Sequence, residues 1–230
     1  FLSDNTPVGL LANKKYDDII VLRLSNDVTG DKNLKKYVDI NLTVIKPSMD
    51  LGGSLNKDKD HMEKLFKLGY MDVMKTYKRY DGVKYFFNAD FIYDENTCFD
   101  MITNLNIKTI QDICKILKIK REPSLRVLLE NIIPQIGDIL HLEKEFTYKD
   151  IFYSIYERIL EENNIDVLKL YDFSKVIDLV NSQIEPIDYD YDNNDNKHII
   201  SLNKKEKIEK AIINKILNDF KNQSLKKMPI

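Results

Sequence analysis

Residues Ile19 to Leu24 (Ile-Ile-Val-Leu-Arg-Leu) place the tightest limit on the fold. The run is almost wholly apolar, with three β-branched residues at its head, which suits a strand covered on both faces, as in a parallel sheet. Just before it, Thr6-Pro7 reads as a helix start: Thr caps free N–H groups and Pro at the first helical position loses no bond it would have made. That helix is expected to run to about Asn13. It begins so near Phe1 that the chain is expected to be the C-terminal part of a longer polypeptide. After a polar excursion over 25–36, Asn41 to Lys46 reads as a second strand, stopped by Pro47. Helix, strand, loop and strand together predict the closing edge of an α/β sheet.

A loop over 47–54 leads to a long helix, about Asp58 to Lys78. Met62, Leu65, Phe66, Tyr70, Val73, Met74 and Tyr77 recur at helical spacing and are the expected buried stripe. Gly69 inside it costs about 1 kcal/mol relative to Ala unless a neighbouring backbone packs close there. Tyr85-Phe86-Phe87 reads as an edge strand. From Thr97 onward the period is that of helices: one on Ile110, Ile113, Cys114 and Leu117, capped by Thr109; one on Leu125, Leu128, Leu129 and Ile132. The clearest starts after Thr147 on Ile151, Phe152, Ile155, Tyr156, Ile159 and Leu160; a shorter one lies on Phe173, Val176, Ile177 and Val180. A polar linker over 185–201 precedes a final amphipathic helix over 202–230. The organisation expected is therefore an α/β part over 1–95, a helical extension over 96–184, the linker and the last helix.

Lys and Arg number 35 against 37 Asp and Glu, so the net charge of −2 implies no general affinity for nucleic acid or an anionic membrane. Cys98 and Cys114 show no CxxC pairing and are expected as reduced, buried thiols of a cytosolic protein. No apolar run reaches the roughly 18 residues of a membrane span. No cofactor or metal motif stands out. His61, His141 and His198 lack ligand spacing. The stretch starting at Asp188 begins like a calcium loop but has Asn193 where Gly is needed and Ile199 where Glu is needed, so it reads as a solvated linker. Gly52-Gly53 is a turn, since no Lys-Ser/Thr follows. Ser48 and Ser54 sit in polar loops with no His nearby in sequence, which argues against nucleophiles. The lysines around the last helix alternate with Glu206, Glu209 and Asp219, favouring a packed helix over one lying on lipid.

The segment Asp4-Asn5-Thr6-Pro7-Val8, a helix, then Asp17-Asp18-Ile19-Ile20-Val21-Leu22 resembles the C-terminal part of the catalytic domain in patatin-like phospholipases. In that family the catalytic Asp lies in an Asp-Gly-Gly or Asp-Gly-Ala turn, followed closely by an Asn-x-Pro segment, a short helix and a hydrophobic strand. Asn5-Thr6-Pro7 fits that segment, and the Asp-Gly pair would fall just before Phe1. Pro47-Ser48, Leu51-Gly52 and Leu68-Gly69-Tyr70-Met71-Asp72 then stand in the order seen in bacterial members, notably those of clostridial type. Lys84-Tyr85-Phe86-Phe87 looks like the closing segment. The ordered set covers 1 to about 95; the remainder looks like the helical extension of some bacterial members.

The resemblance implies the C-terminal part of a three-layer α/β/α sheet domain, followed by an all-α extension. It implies a serine lipid acyl hydrolase in which a Ser in a Gly-x-Ser-x-Gly elbow attacks the ester carbonyl and an Asp is its base. A Gly-rich turn at a helix N-terminus holds the oxyanion. This chain has no Gly-x-Ser-x-Gly, no Asp-Gly-Gly and no Gly-rich oxyanion loop, so no catalytic residue is assigned within it and 1–230 alone is expected to hydrolyse nothing. Asp4, Asn5 and Pro7 become support for the active-site loop, against the plainer reading of loop and cap chemistry. The implied partner is a phospholipid or other acyl ester met at a membrane surface from the bacterial cytoplasm; no nucleic acid or cofactor is implied, and the oligomeric state stays open. The alternative is a non-catalytic helical interaction module.

Overall fold

The computed structural model describes residues 8–24, 34, 37–52, 58–89, 91–183 and 201–227, with side chains omitted at 91, 201–204 and 224–227. It is mixed α/β and divides into two compact units: Phe1–Ala89 with Val167–Leu170, and Asp90–Asp166 with Tyr171–Ile230.

In the front unit, α1 (Val8–Ala12) leads to β1 (Asp18–Leu22), which pairs in parallel with β2 (Asn41–Ile45). The register sets Ile19 beside Leu42 and Val21 beside Val44. Donation from Asn41 N–H to the Asp17 carbonyl (2.8 Å) and from Arg23 N–H to the Ile45 carbonyl (2.9 Å) frames the pair at both ends. Because side chains alternate along a strand, Ile19 and Val21 enter a core with Val8 and Leu34, onto which Tyr37, Ile40, Leu42 and Val44 pack. The other face departs from the expectation of a strand covered on both sides. Ile20 is 57% and Leu22 69% exposed, since Val8, Leu34, Tyr37 and Ile40 cover only one side.

Helix α2 (Lys59–Thr76) starts at Asp58, whose carboxylate accepts from His61 N–H at 3.0 Å. Its buried face is not the expected one. Leu68, Met71 and Asp72 are buried, whereas Met62, Phe66, Tyr70 and Tyr77 are exposed, Phe66 at 83%. The helix carries two apolar stripes, and the loop over 47–52 lies against the other one. The strands β3 (Tyr80–Asp81), β4 (Phe86–Asn88) and β5 (Leu170–Tyr171) form a second sheet in the order β3-β4-β5. Tyr85-Phe86-Phe87 therefore enters the middle of a sheet instead of an edge, and all three rings are buried. The strand at 170 interrupts what the sequence reads as helices only; two residues carry no periodicity to announce it.

The second unit begins with α3 (Glu95–Thr103), a helix the periodicity did not single out although Asp94 caps it by accepting from Thr97 N–H at 2.8 Å. Next, α4 (Ile107–Ile116) is capped by Asn106 and not by Thr109, which lies inside the first turn. Helix α5 spans 125–139 as an α-turn (Leu125–Val127), a π segment (Leu128–Ile132) and a further α segment (Ile133–Ile139). Pro134 accounts for the irregularity. It donates no N–H and its ring crowds the preceding carbonyls, which the wide π turn relieves. Gln135 Nε2 then donates to the Asn131 carbonyl at 3.0 Å. Gly137 in the same helix meets Phe146 so closely that an added Cβ would lie 2.3 Å from the ring. Gly137→Ala is accordingly expected to cost about 1–3 kcal/mol through overpacking, read as a lower urea midpoint; no loss would show that the Phe146 ring swings freely aside.

Helix α6 (Tyr148–Glu162) is the hub. The helix starts after Thr147 as expected, and Thr147 and Asp150 form a capping box there, with Asp150 N–H donating to Thr147 Oγ1 (3.1 Å) and Thr147 N–H to Asp150 Oδ2 (2.8 Å). The two carboxylate oxygens of Glu95 accept from the N–H groups of Tyr148 and Lys149, each at 2.9 Å, placing negative charge at the positive end of the helix. All six residues of the expected stripe are buried, and so are Tyr153, Ser154 and Glu157, so the helix is enclosed on every side. Helix α7 (Phe173–Gln183) and α8 (Ser201–Lys227) complete the unit. Ala211, Ile212, Ile213, Ile216, Leu217 and Phe220 of α8 are buried. Arg158 of α6 makes ion pairs with Glu161 and with Glu209 of α8.

Candidate functional site

Asp4, Asn5 and Pro7, the proposed support of an active-site loop, lie outside the described residues, as do Ser54 and His198. What can be followed is the ordered set from Pro47 to Phe87. The loop after β2 buries Pro47 and turns at Gly52, where φ is +71° and Gly52 N–H donates to Asp50 Oδ1 at 3.0 Å. A left-handed residue closing an Asx turn is a position that favours glycine. Met49 and Leu51 of this loop pack onto Leu68, Met71 and Phe86.

Sequence reasoning passed over Asp72. Asp72 is 5% exposed and its carboxylate accepts from Ser48 N–H at 3.1 Å, so a part-buried bond joins the Pro-Ser step to the Leu-Gly-Tyr-Met-Asp stretch. Burial pushes the Asp72 carboxyl above its ordinary range, opposed by the bonds from Ser48 and by the nearby Lys75 ammonium. A signal was present: Asp72 continues the stripe of Leu65 and Leu68 at i+7 and i+4, where a carboxylate persists only if donors meet it. One turn later, Lys75 Nζ donates to the carbonyls of Val83 (2.8 Å) and Tyr85 (3.2 Å) and lies 4.2 Å from the centroid of the Phe86 ring. Two side chains of α2 thus fasten the segments on either side of it.

The pieces of a nucleophilic triad are present here but are not brought together. His61 Nε2 is buried without a hydrogen-bond partner, whereas Ser48 faces the Asp72 carboxylate. His61 and Asp72 share a face of α2, yet they are eleven residues apart, about 16 Å along the axis. His61 packs on Gly52, whose added Cβ would lie 3.6 Å from its Cε1, while Ser48 is held at Asp72. No relay links the three, in keeping with the reading of Ser48 as a loop residue. His141 is exposed in the turn after α5.

Gly69 has no atom within 4 Å of an added Cβ. Within this structure no packing requires it, so Gly69→Ala is expected to stabilise the protein by about 0.5–1 kcal/mol. A rise in the urea midpoint checks this, and a fall would show that something occupies the space beside it.

Cys98 and Cys114 are free and buried; burial pushes the Cys114 thiol up. Among the described residues, no group of three His, Cys, Asp or Glu side chains is placed to hold a metal ion, and no helix is long and apolar enough to cross a membrane. Comparison with family models, curated proteins and solved structures finds no match.

Proposed function

We propose that this chain belongs to a serine lipid acyl hydrolase of patatin-like type, in which residues 1–95 help complete the α/β sheet. The observation that carries the reading is the parallel β1–β2 pair continuing into a Pro47-Ser48 loop bonded to Asp72 of the Leu-Gly-Tyr helix. Parallel pairing is the arrangement common in α/β sheets, whose strands are covered on both faces, and this supports the reading. Ile20 and Leu22 on the open side of β1, and Met62 and Phe66 on α2, are large exposed apolar residues of the kind that mark a surface used for packing. Neither a Gly-x-Ser-x-Gly elbow nor an Asp-Gly-Gly turn occurs in residues 1–230, so the Ser–Asp dyad is supplied from outside them. Asp4, Asn5 and Pro7 then shape the loop beside the catalytic Asp. The substrate is a phospholipid or other acyl ester, reached at a membrane surface from the cytoplasm.

The test is hydrolysis of fluorogenic acyl esters by residues 1–230 alone and by the polypeptide that also contains what is encoded in frame ahead of Phe1. Hydrolysis only by the longer chain, lost on Ser→Ala in its elbow, is expected. Activity in the purified 1–230 chain would sink the assignment. The alternative, a helical interaction module, draws on the closed aromatic core of the second unit; a longer chain without esterase activity would favour it.

A further inference from the structure

Although the chain has a net charge of −2, cations outnumber carboxylates six to two between residues 106 and 127. The structure gathers four of these, Lys115, Lys118, Lys120 and Arg121, around one cavity of about 470 Å³. That volume lies within the range of small-ligand sites. The local fold explains the gathering. Helix α4 ends with Lys118 in the left-handed region (φ 56°) and Ile119 N–H bonded back to the Cys114 carbonyl at 2.8 Å. This helix-ending turn reverses the chain, so Lys115 on the last helical turn and residues 118–121 on the returning segment line the same hollow. Cys114, Ile119 and Pro123 add an apolar wall.

Arg121 is braced by Asn131 Oδ1 at 3.2 Å and lies 4.0 Å from Glu130, and Lys115 lies 3.6 Å from Asp112. Lys118 and Lys120 make no ion pair among the described residues, and Glu122 is the one carboxylate of the lining. The helix dipole explains Lys115 but not the others, because its effect fades within the last turn. Nor does the chain complement its helix ends as a rule: α6 finishes on Glu161-Glu162. The hollow beside it, around Asp112 and Asp219, closes on itself, since Lys215 Nζ meets Asp112 at 2.9 Å and Asn106 N–H donates to Asp219.

We infer that the cavity formed by the end of α4 and the segment after it binds a phosphate group carried on a small organic body. The cations meet the phosphate oxygens, and Ile119 and Pro123 face the carbon skeleton. The inference holds whether or not the chain takes part in ester hydrolysis. Both a soluble phosphate ester and a phospholipid head group present this chemistry.

Titration of isotopically labelled 1–230 with inorganic phosphate and with glycerol 3-phosphate tests it, read from amide shifts. The residues over 114–123 are expected to respond, glycerol 3-phosphate more tightly than phosphate. Lys118→Glu with Lys120→Glu is expected to weaken binding about tenfold, from several small electrostatic contributions removed or reversed together. The same charge change at the exposed Lys205 and Lys207 of α8 is expected to leave binding within about twofold. Co-sedimentation with phosphatidylcholine vesicles with and without phosphatidic acid separates the sources. Lysine-dependent capture by the acidic vesicles assigns the head group, and its absence beside glycerol 3-phosphate binding assigns the soluble ester. No response over 114–123, or equal weakening by the Lys205/Lys207 pair, overturns the site.

Discussion

Phe152→Ala is expected to lower the stability of the helical unit by about 3–5 kcal/mol, the range for deleting a fully buried aromatic side chain. Phe152 is 0% exposed and stands at the centre of a cluster of rings. Its centroid lies 5.4 Å from those of Tyr93 and Phe220, 5.2 Å from Tyr156 and 5.8 Å from Phe173. Truncation removes apolar contact and the ring pairings together, each pairing contributing about 0.5–1.5 kcal/mol beyond its area. It also leaves a cavity walled by stiff rings that cannot easily collapse. Phe152→Leu, which keeps most of the volume, is expected to lose clearly less. Urea denaturation followed by helical circular dichroism gives both numbers. Equal, small losses would mean that the cluster repacks and that α6 is not the hub described.

The second large effect belongs to Asp72. Asp72→Ala leaves the Ser48 N–H without its acceptor in a part-buried place, an expected loss of about 1–3 kcal/mol. Asp72→Asn keeps an acceptor there and removes the buried charge, so it is expected to retain the fold. The pH dependence separates the two effects. Burial raises the folded-state pKa above the ordinary value near 3.8, so the folded chain binds the proton more tightly than the unfolded one. The associated stability is present below the unfolded pKa and is lost as pH rises through the folded one. Relative to the wild type, Asp72→Asn should therefore gain stability as pH rises from the ordinary carboxyl range through the raised folded-state pKa of Asp72. Parallel stability curves for the two proteins would contradict a buried, charged Asp72.

The strands of the front unit were legible because their signals are local. Ile19–Leu24 spells a strand with no polar alternation, and Pro47 stops its partner; their parallel pairing follows as expected. Whether both faces are covered depends on residues distant in the chain, and here only the side bearing Val8 is closed among the described residues. The ends of α2 were readable from Asp58, but its buried face was not. Met62, Phe66, Tyr70 and Tyr77 fit helical period as well as Leu68 and Met71 do, and period alone cannot choose between two stripes. Asp72 was passed over, because a carboxylate looks like a solvent-facing residue until its donor is seen. Asn106 and Thr109 are both good caps three residues apart, and packing settled on Asn106. The start of α6 after Thr147 was legible, because Thr is a good cap just ahead of the apolar period; its capping-box partner Asp150 was not read. The basic hollow after α4 escaped notice because the net charge of the chain conceals a local excess of cations.

The most direct test of the central claim is the coding sequence ahead of Phe1. An in-frame Asp-Gly immediately before it, with Gly-x-Ser-x-Gly on the order of 100–200 residues earlier, is the result the hydrolase reading predicts. A start codon at that point, or an in-frame segment lacking both motifs, would contradict it and leave residues 1–95 with no dyad to serve.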